Sequence, residues 1–187
     1  MSPRLVVLAG PNGAGKSTFY RLYLGKSGLP FLNADVLQLN SGVDAYEAAR
    51  TVDAARLAYL NVRASFITET VFSDPDGRKL EFLRRAIEAG YDVELLYIGL
   101  ASPELALMRV AQRVANGGHS VPKEKVSSRY PRSLENLGRA MAFRQTVRIF
   151  DNSAYAEYRL LGVFKDGKLV QRTEGPIPGW ALRFFSL

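Results

Sequence analysis

Residues Leu5 to Ala9 form a short unbroken apolar run ended by Gly10-Pro11. A run without alternation is the pattern of a strand buried on both faces. A helix is expected to start near Gly15, Pro30 to Asn33 reads as a second short strand, and Asp44 to Ala64 carries Ala and Leu at helical spacing. Ser65 to Phe72 gives a third strand. From Asp76, the residues Leu80, Leu83, Ala86 and Ile87 recur at helical spacing until Gly90 stops the run, and Tyr91 to Leu100 follows as a fourth strand. Ser102, Pro103 and Glu104 open the next helix as cap, first-turn proline and first-turn acid. Gly117-Gly118 breaks it. Val121 to Arg148 is again helical after Pro122, with an interruption expected at Tyr130-Pro131. Val147 to Phe150 makes a fifth strand ending at Asp151-Asn152-Ser153, and Tyr158 to Phe164 and Lys168 to Arg172 flank Asp166-Gly167, a hairpin turn signal.

Strands alternating with helices predict an α/β fold with a parallel sheet and right-handed crossovers, so that the loops after the strands gather in one crevice. Those loops begin at Gly10, at Asn33 to Asp35, at Glu69-Thr70 and at Asp151-Asn152. The chemistry is expected there.

Composition narrows the class. The 187 residues are 47% apolar and 23% charged, the balance of a globular chain, and their number suits one domain. With no cysteine, packing alone must hold the fold, and a reducing, cytoplasmic setting is expected. The first apolar run is too short for a signal sequence, and no stretch reaches the roughly 20 apolar residues that cross a bilayer. The net charge of +7 is uneven, because residues 101 to 150 hold nine Lys/Arg against three Asp/Glu. That segment predicts an anionic partner, whether nucleotide phosphates or nucleic acid, or simply a solvated basic face.

Gly10-Pro11-Asn12-Gly13-Ala14-Gly15-Lys16-Ser17 fits G-x-x-x-x-G-K-[ST], and it sits between a predicted strand and a predicted helix. Glycines let successive backbone N–H groups point at phosphate oxygens, and the helix terminus adds positive potential. Lys16 is expected to bridge the β- and γ-phosphates of ATP, Ser17 to ligate Mg²⁺ and Thr18 to reach an α-phosphate oxygen. The fold expected is therefore the three-layer P-loop NTPase type, with a mainly parallel five-stranded sheet, a helical lid and a C-terminal β-hairpin. In this reading residues 1–187 are one kinase domain, with a core over 1–153, a lid over about 113–132, and a hairpin and tail over 154–187.

Neither a transporter-type Leu-Ser-Gly-Gly-Gln signature nor the Asn-Lys-x-Asp of GTPases is present, and Asp74-Pro75-Asp76-Gly77 is explained as a loop and helix cap. Asp35, just past the second strand, could take the proton of an attacking hydroxyl, or could instead cap a helix. The segments Gly10 to Thr18, Phe31 to Asp35, Ile67 to Thr70, Arg113 to Pro122 continuing through Arg129 to Leu134, and Asp151 to Ser153 together resemble the zeta-toxin family of P-loop kinases. The resemblance implies phosphorylation of a nucleotide sugar, typically the 3′-hydroxyl of the sugar in UDP-N-acetylglucosamine. It makes Asp35 the base, Lys16 and Ser17 the phosphate and metal contacts, and Glu69 with Thr70, beside Asn33, a strand-end group near the acceptor. It also leaves room for an antitoxin protein as partner. Nucleic acid stays open as a partner, and no membrane contact is expected.

Arg109 and Arg113 share a helix face and could both meet phosphate; Arg113, beside the Gly117-Gly118 hinge, is preferred, and Arg109 is assigned a supporting or solvated role. Arg129 and Arg132 flank the expected break, one of them closing on phosphate. Asn152 is placed near the adenine, and His119, the one histidine, in a loop hydrogen bond or lid contact. A nucleoside or nucleic-acid kinase, and a nucleotide-binding regulator with little turnover, are the alternative functions.

Overall fold

In the computed structural model, which describes residues 2–118, 120–154 and 157–186, a seven-stranded sheet carries the fold, in the order β2-β3-β1-β4-β5-β6-β7. The first five strands are β1 (Arg4–Ala9), β2 (Phe31–Leu32), β3 (Phe66–Thr70), β4 (Asp92–Gly99) and β5 (Thr146–Asp151), all parallel. β1 lies at the centre, and Leu5 to Ala9 are buried on both faces, as the unbroken apolar run requires. The expected hairpin, β6 (Arg159–Lys165) and β7 (Lys168–Arg172), turns at Asp166 (φ 51°) and Gly167 (φ 78°), the paired left-handed residues of a tight hairpin. Instead of standing apart, it continues the five-stranded sheet, β6 pairing antiparallel with β5.

Helices cover the faces: α1 (Lys16–Phe19), widening into a π-helical turn over Tyr20–Leu24, α2 (Ala34–Ser41), α3 (Ala45–Asn61), α4 (Arg78–Glu88), α5 (Pro103–Ala115), α6 (Lys123–Ala140) and α7 (Leu182–Phe185). Asp44 caps α3 by accepting from the N–H groups of Tyr46 and Glu47, and Ser102 caps α5 by accepting from Leu105. α7 was not foreseen, and α2 only as the helix that Asp35 was weighed to cap. The break at Tyr130-Pro131 is absent: α6 runs through Pro131, whose ring faces solvent. An interior proline costs about 3 kcal/mol. Here it is offset by the opposite face, where Val126, Tyr130, Ser133, Leu134 and Leu137 are buried and the Tyr130 hydroxyl donates to the Leu100 carbonyl at 2.7 Å. The helix also ends at Ala140, short of Arg148, because the chain turns there into β5.

α6 is consequently docked. Tyr97 and Ser133 share a buried hydroxyl contact of 3.0 Å, and Asn136 donates to the carbonyls of Phe72 and Asp74, both at 3.1 Å. Residues 129 and 132 therefore sit on a helix fixed to the core, and among the described residues of the lid region those outside a helix are 116–118 and 120–122.

Candidate active site

The loop after β1 is shaped by glycines that nothing else could replace. Gly10 lies at φ 141°, and a Cβ there would fall 2.1 Å from the Ile98 carbonyl oxygen; Gly15 lies at φ 88°, and a Cβ there would meet the Tyr158 hydroxyl at 2.6 Å and the Asn152 side-chain amide at 2.7 Å. The loop is thus pressed against β4 on one side and the segment after β5 on the other. Lys16 is buried, its ammonium donating to the carbonyls of Gly10 (3.0 Å) and Pro11 (3.1 Å) and lying 3.9 Å from Glu69.

Because β3 is the immediate neighbour of β1, with Leu8 opposite Glu69 and Ala9 opposite Thr70, the end of β3 delivers Glu69 to the phosphate loop. One carboxylate oxygen of Glu69 accepts from the Ser17 hydroxyl at 3.0 Å and from the Asn33 amide at 2.8 Å. Glu69, expected beside the acceptor, thus meets both the phosphate loop and Asn33 next to Asp35. Burial pushes its carboxyl above the ordinary glutamate range, against the opposing pull of the Lys16 charge and the Ser17 hydroxyl. Burial likewise pulls Lys16 below the usual lysine range, against Glu69 and Asp35. An incoming γ-phosphate on one side and a cation on the other would relieve both. No group of three or more acidic, histidine or cysteine side chains that could hold a metal ion exists among the described residues. A Mg²⁺ ion typically uses one or two protein ligands plus phosphate oxygens and waters, and Ser17 with Glu69 fits that donor set.

Asn33, rather than Asp35, caps α2, accepting from the N–H groups of Asp35 (2.8 Å) and Val36 (3.3 Å). Asp35 falls in the first helical turn, and its carboxylate is not spent on capping. It lines the cleft that begins at the loop, together with Asn12, Asn33, Glu69, Thr70, Arg113, Arg129 and Arg132. The charges of Asp35, Arg113 and Arg129 all act on Lys16, so these four form one electrostatic group with Glu69. Arg132, which lines the same cleft, acts on Arg129, and its guanidinium donates to the Ser128 hydroxyl at 3.3 Å. Thr70 accepts from the Phe72 N–H at 3.0 Å and so holds a turn in which Phe72 sits at φ 59°. The cleft, about 580 Å³, is also lined by Lys79 and Asp74.

On the far side of the loop, Asn152 is buried and its amide donates to the Ala14 carbonyl at 2.9 Å, so that side chain braces the loop. Thr18 accepts from Arg21 at 3.4 Å. Arg109, one turn from Arg113, parts company with it: its guanidinium donates to the Ser153 and Ala154 carbonyls, tying α5 to the turn after β5. His119 lies outside the described residues.

Several contributors were missed in the sequence. Arg56 on α3 is buried and donates to the Thr68 hydroxyl and the Glu69 carbonyl, both at 2.7 Å, while pairing with Asp53, which also holds Lys79. The signal was present: Ala48, Val52, Arg56 and Leu60 recur every four residues, and all four are buried. An arginine in an apolar stripe needs partners. Tyr158, which donates to the Gly15 carbonyl at 2.7 Å, carried no such pattern.

The sequence profile described as Zeta toxin matches residues 31–159, more than half of the chain, beginning after the phosphate loop. A search of curated protein sequences gives no match. Among solved structures, a chain of the AvrRxo1-ORF1:-ORF2 complex with ATP is 19% identical, with a TM-score of 0.70 over 91% of this chain and 60% of that one. A chain of the PezAT chromosomal toxin-antitoxin system of Streptococcus pneumoniae is 18% identical, with a TM-score of 0.58 over 100% of this chain and 80% of that one. A gluconokinase from Sinorhizobium meliloti 1021 is 18% identical, with a TM-score of 0.50 over 82% and 85%. At these identities the likeness is one of fold. The chain spans about three fifths of the length of the AvrRxo1 chain it matches.

Proposed function

This chain belongs to the zeta toxin family, and from that premise and the geometry of the cleft we propose that it is an ATP-dependent kinase that phosphorylates a hydroxyl of a nucleotide sugar, UDP-N-acetylglucosamine being the acceptor the family suggests. The observation that carries this is one cleft lined by Asn12 of the phosphate loop, Glu69, Asp35, Arg113, Arg129 and Lys79, with Glu69 also meeting Ser17 and Lys16 of that loop. A volume of about 580 Å³ is within the range of small-ligand sites.

In this mechanism the loop amides and Lys16 hold the triphosphate of ATP. Ser17, with Glu69 beside it, would hold Mg²⁺, which would supply charge neutralisation for the triphosphate. Asp35 accepts the proton of the acceptor hydroxyl as its oxygen bonds to the γ-phosphorus, and the bond from that phosphorus to the bridging oxygen breaks, releasing ADP. Arg113 and Arg129 face the transferred group, where planar guanidinium donors match its equatorial oxygens. Asn33 serves twice, orienting Glu69 and starting the helix that presents Asp35. Arg132, Thr70 and Lys79 line the acceptor half.

The basic segment expected to meet an anion supports a small acceptor in part: four of its nine basic residues, Arg113, Lys125, Arg129 and Arg132, line the cleft. An antitoxin protein is a proposed partner on the strength of the family alone. No helix is long and apolar enough to cross a membrane among the described residues. The test is to supply γ-labelled ATP with UDP-N-acetylglucosamine, free N-acetylglucosamine, nucleosides and oligonucleotides. Label should enter the nucleotide sugar faster than the free sugar, because binding of the remote nucleotide positions the hydroxyl. Equal rates for the two sugars, or label on oligonucleotides alone, would overturn it.

A further inference from the structure

The family match stops at residue 159, yet the chain beyond it reaches back to the end of β4 and the turn after β5, the two segments against which the phosphate loop is pressed. Trp180, the single tryptophan of the chain, lays its ring over the end of β4. A Cβ at Gly99 would come within 2.1 Å of that ring, so the residue at 99 must be glycine for the indole to lie there. The indole N–H donates to the Asp151 carboxylate at 3.0 Å, and the same oxygen takes the Ser153 hydroxyl at 2.5 Å. Arg159 lies 3.9 Å from the other Asp151 oxygen and donates to the Pro176 carbonyl at 2.9 Å, closing the tail onto the same carboxylate.

What Asp151 begins is the turn that braces the loop. The next residue, Asn152, is fixed by its N–H to the Gly99 carbonyl at 3.0 Å and by its amide to the Ala14 carbonyl. Ser153 and Ala154 receive Arg109, whose Cβ sits 3.3 Å from where a Cβ on Gly13 would be. Asn152 could not hold its bond to the loop if the turn shifted, and Arg109 ties that turn to α5. On its outer side the tail is anchored independently, by Phe184, buried against α6, and by Phe185, whose ring meets Phe164 at 5.2 Å.

We propose that Trp180 is a positioning residue for nucleotide binding: through Asp151 it fixes the 151–154 turn against the phosphate loop and so sets the affinity for the nucleoside triphosphate. The proposal rests on the reading of that loop as an ATP site. It assigns the C-terminal segment, none of whose described residues lines the acceptor half of the cleft, to the nucleotide half alone.

The experiment is a double-mutant cycle read by calorimetry with Mg·ATP, using Trp180→Phe, Asp151→Ala and the combination. Phenylalanine keeps an aromatic ring over Gly99 but has no N–H to give. Trp180→Phe should raise the dissociation constant by about three- to thirtyfold, as expected for losing part of a charged hydrogen bond. Its KM for the acceptor and its kcat at saturating ATP should stay at the parent values, a split that general loosening of the fold would not produce. On the Asp151→Ala background the same substitution should change ATP affinity by less than about twofold, because the partner is already gone. Equal ATP affinity in the parent and Trp180→Phe, or effects that simply add, would overturn the positioning role while leaving the ATP site intact. A parent protein that does not bind Mg·ATP at all would overturn the ATP reading itself, and the positioning role with it.

Discussion

Replacing Asp35 by asparagine isolates the proposed base, because the structure separates its chemistry from its local fold. The cap of α2 is Asn33, whose side-chain oxygen takes the N–H groups of residues 35 and 36, so Asp35→Asn leaves that cap untouched. What the fold loses is the attraction between a first-turn carboxylate and the helix dipole, about 0.3–1 kcal/mol for an exposed site. What the reaction loses is a proton acceptor, for which general-base help of about 10² to 10⁴ in rate corresponds to roughly 2.7–5.5 kcal/mol of barrier. The chemical effect therefore exceeds the structural one by severalfold in energy, and the two are read by different assays. Single-turnover transfer of labelled phosphate to UDP-N-acetylglucosamine should fall by about 10² or more, while calorimetry shows Mg·ATP still bound. The carboxylate also acts on Lys16, so a modest change in ATP affinity is compatible. Transfer within about threefold of the parent, with ATP binding intact, would refute the base assignment, since a group in Asp35's position that takes the proton cannot be removed so cheaply.

The remaining predictions concern the groups around it. The Glu69 carboxyl is raised by burial in the folded protein, so the folded state holds its proton more tightly than the unfolded chain. The stability linked to that proton is complete below the unfolded value and is lost as pH rises through the folded one. Glu69→Gln should therefore melt higher than the parent, relative to their order at pH 4, when both are measured without nucleotide at neutral pH, and should bind Mg·ATP more weakly; a pH-independent difference in melting would contradict this. Arg113→Ala should lower kcat more than it raises the dissociation constant for ATP, and the reverse ranking in steady-state and binding assays would make it a ground-state contact. Arg56→Met should destabilise by about 2–4 kcal/mol in denaturant melts, chiefly from leaving the Thr68 hydroxyl and Glu69 carbonyl without a donor, the half-exposed Asp53 pair adding little. A loss below about 0.5 kcal/mol would mean that Arg56 does not fix the end of β3.

The parts legible in the sequence were those with a local cause. The unbroken run Leu5 to Ala9 announced a doubly buried strand, the glycines of 10–17 announced a bent phosphate loop, and Asp166-Gly167 announced the hairpin turn. What escaped depended on which elements become neighbours. Glu69 meets Ser17 because β3, and not β2, pairs with β1, a choice that no short window of sequence records. Asn33 was read as a strand end because its capping bonds appear only once α2 exists. Pro131 marked a break on local grounds, and the packing of Tyr130 and Leu134 against the core overrode it. Trp180 acts over 29 residues on Asp151, beyond the reach of any periodicity.

The central claim is that one cleft carries ATP at Lys16 and an acceptor hydroxyl at Asp35, and it is tested most directly by following label from γ-labelled ATP in a single turnover with UDP-N-acetylglucosamine, comparing the parent with Lys16→Ala. The account predicts label on the nucleotide sugar with the parent and none with the variant, which remains folded but binds ATP far more weakly. Label released from the parent only as inorganic phosphate, or transfer that survives in Lys16→Ala, would contradict it.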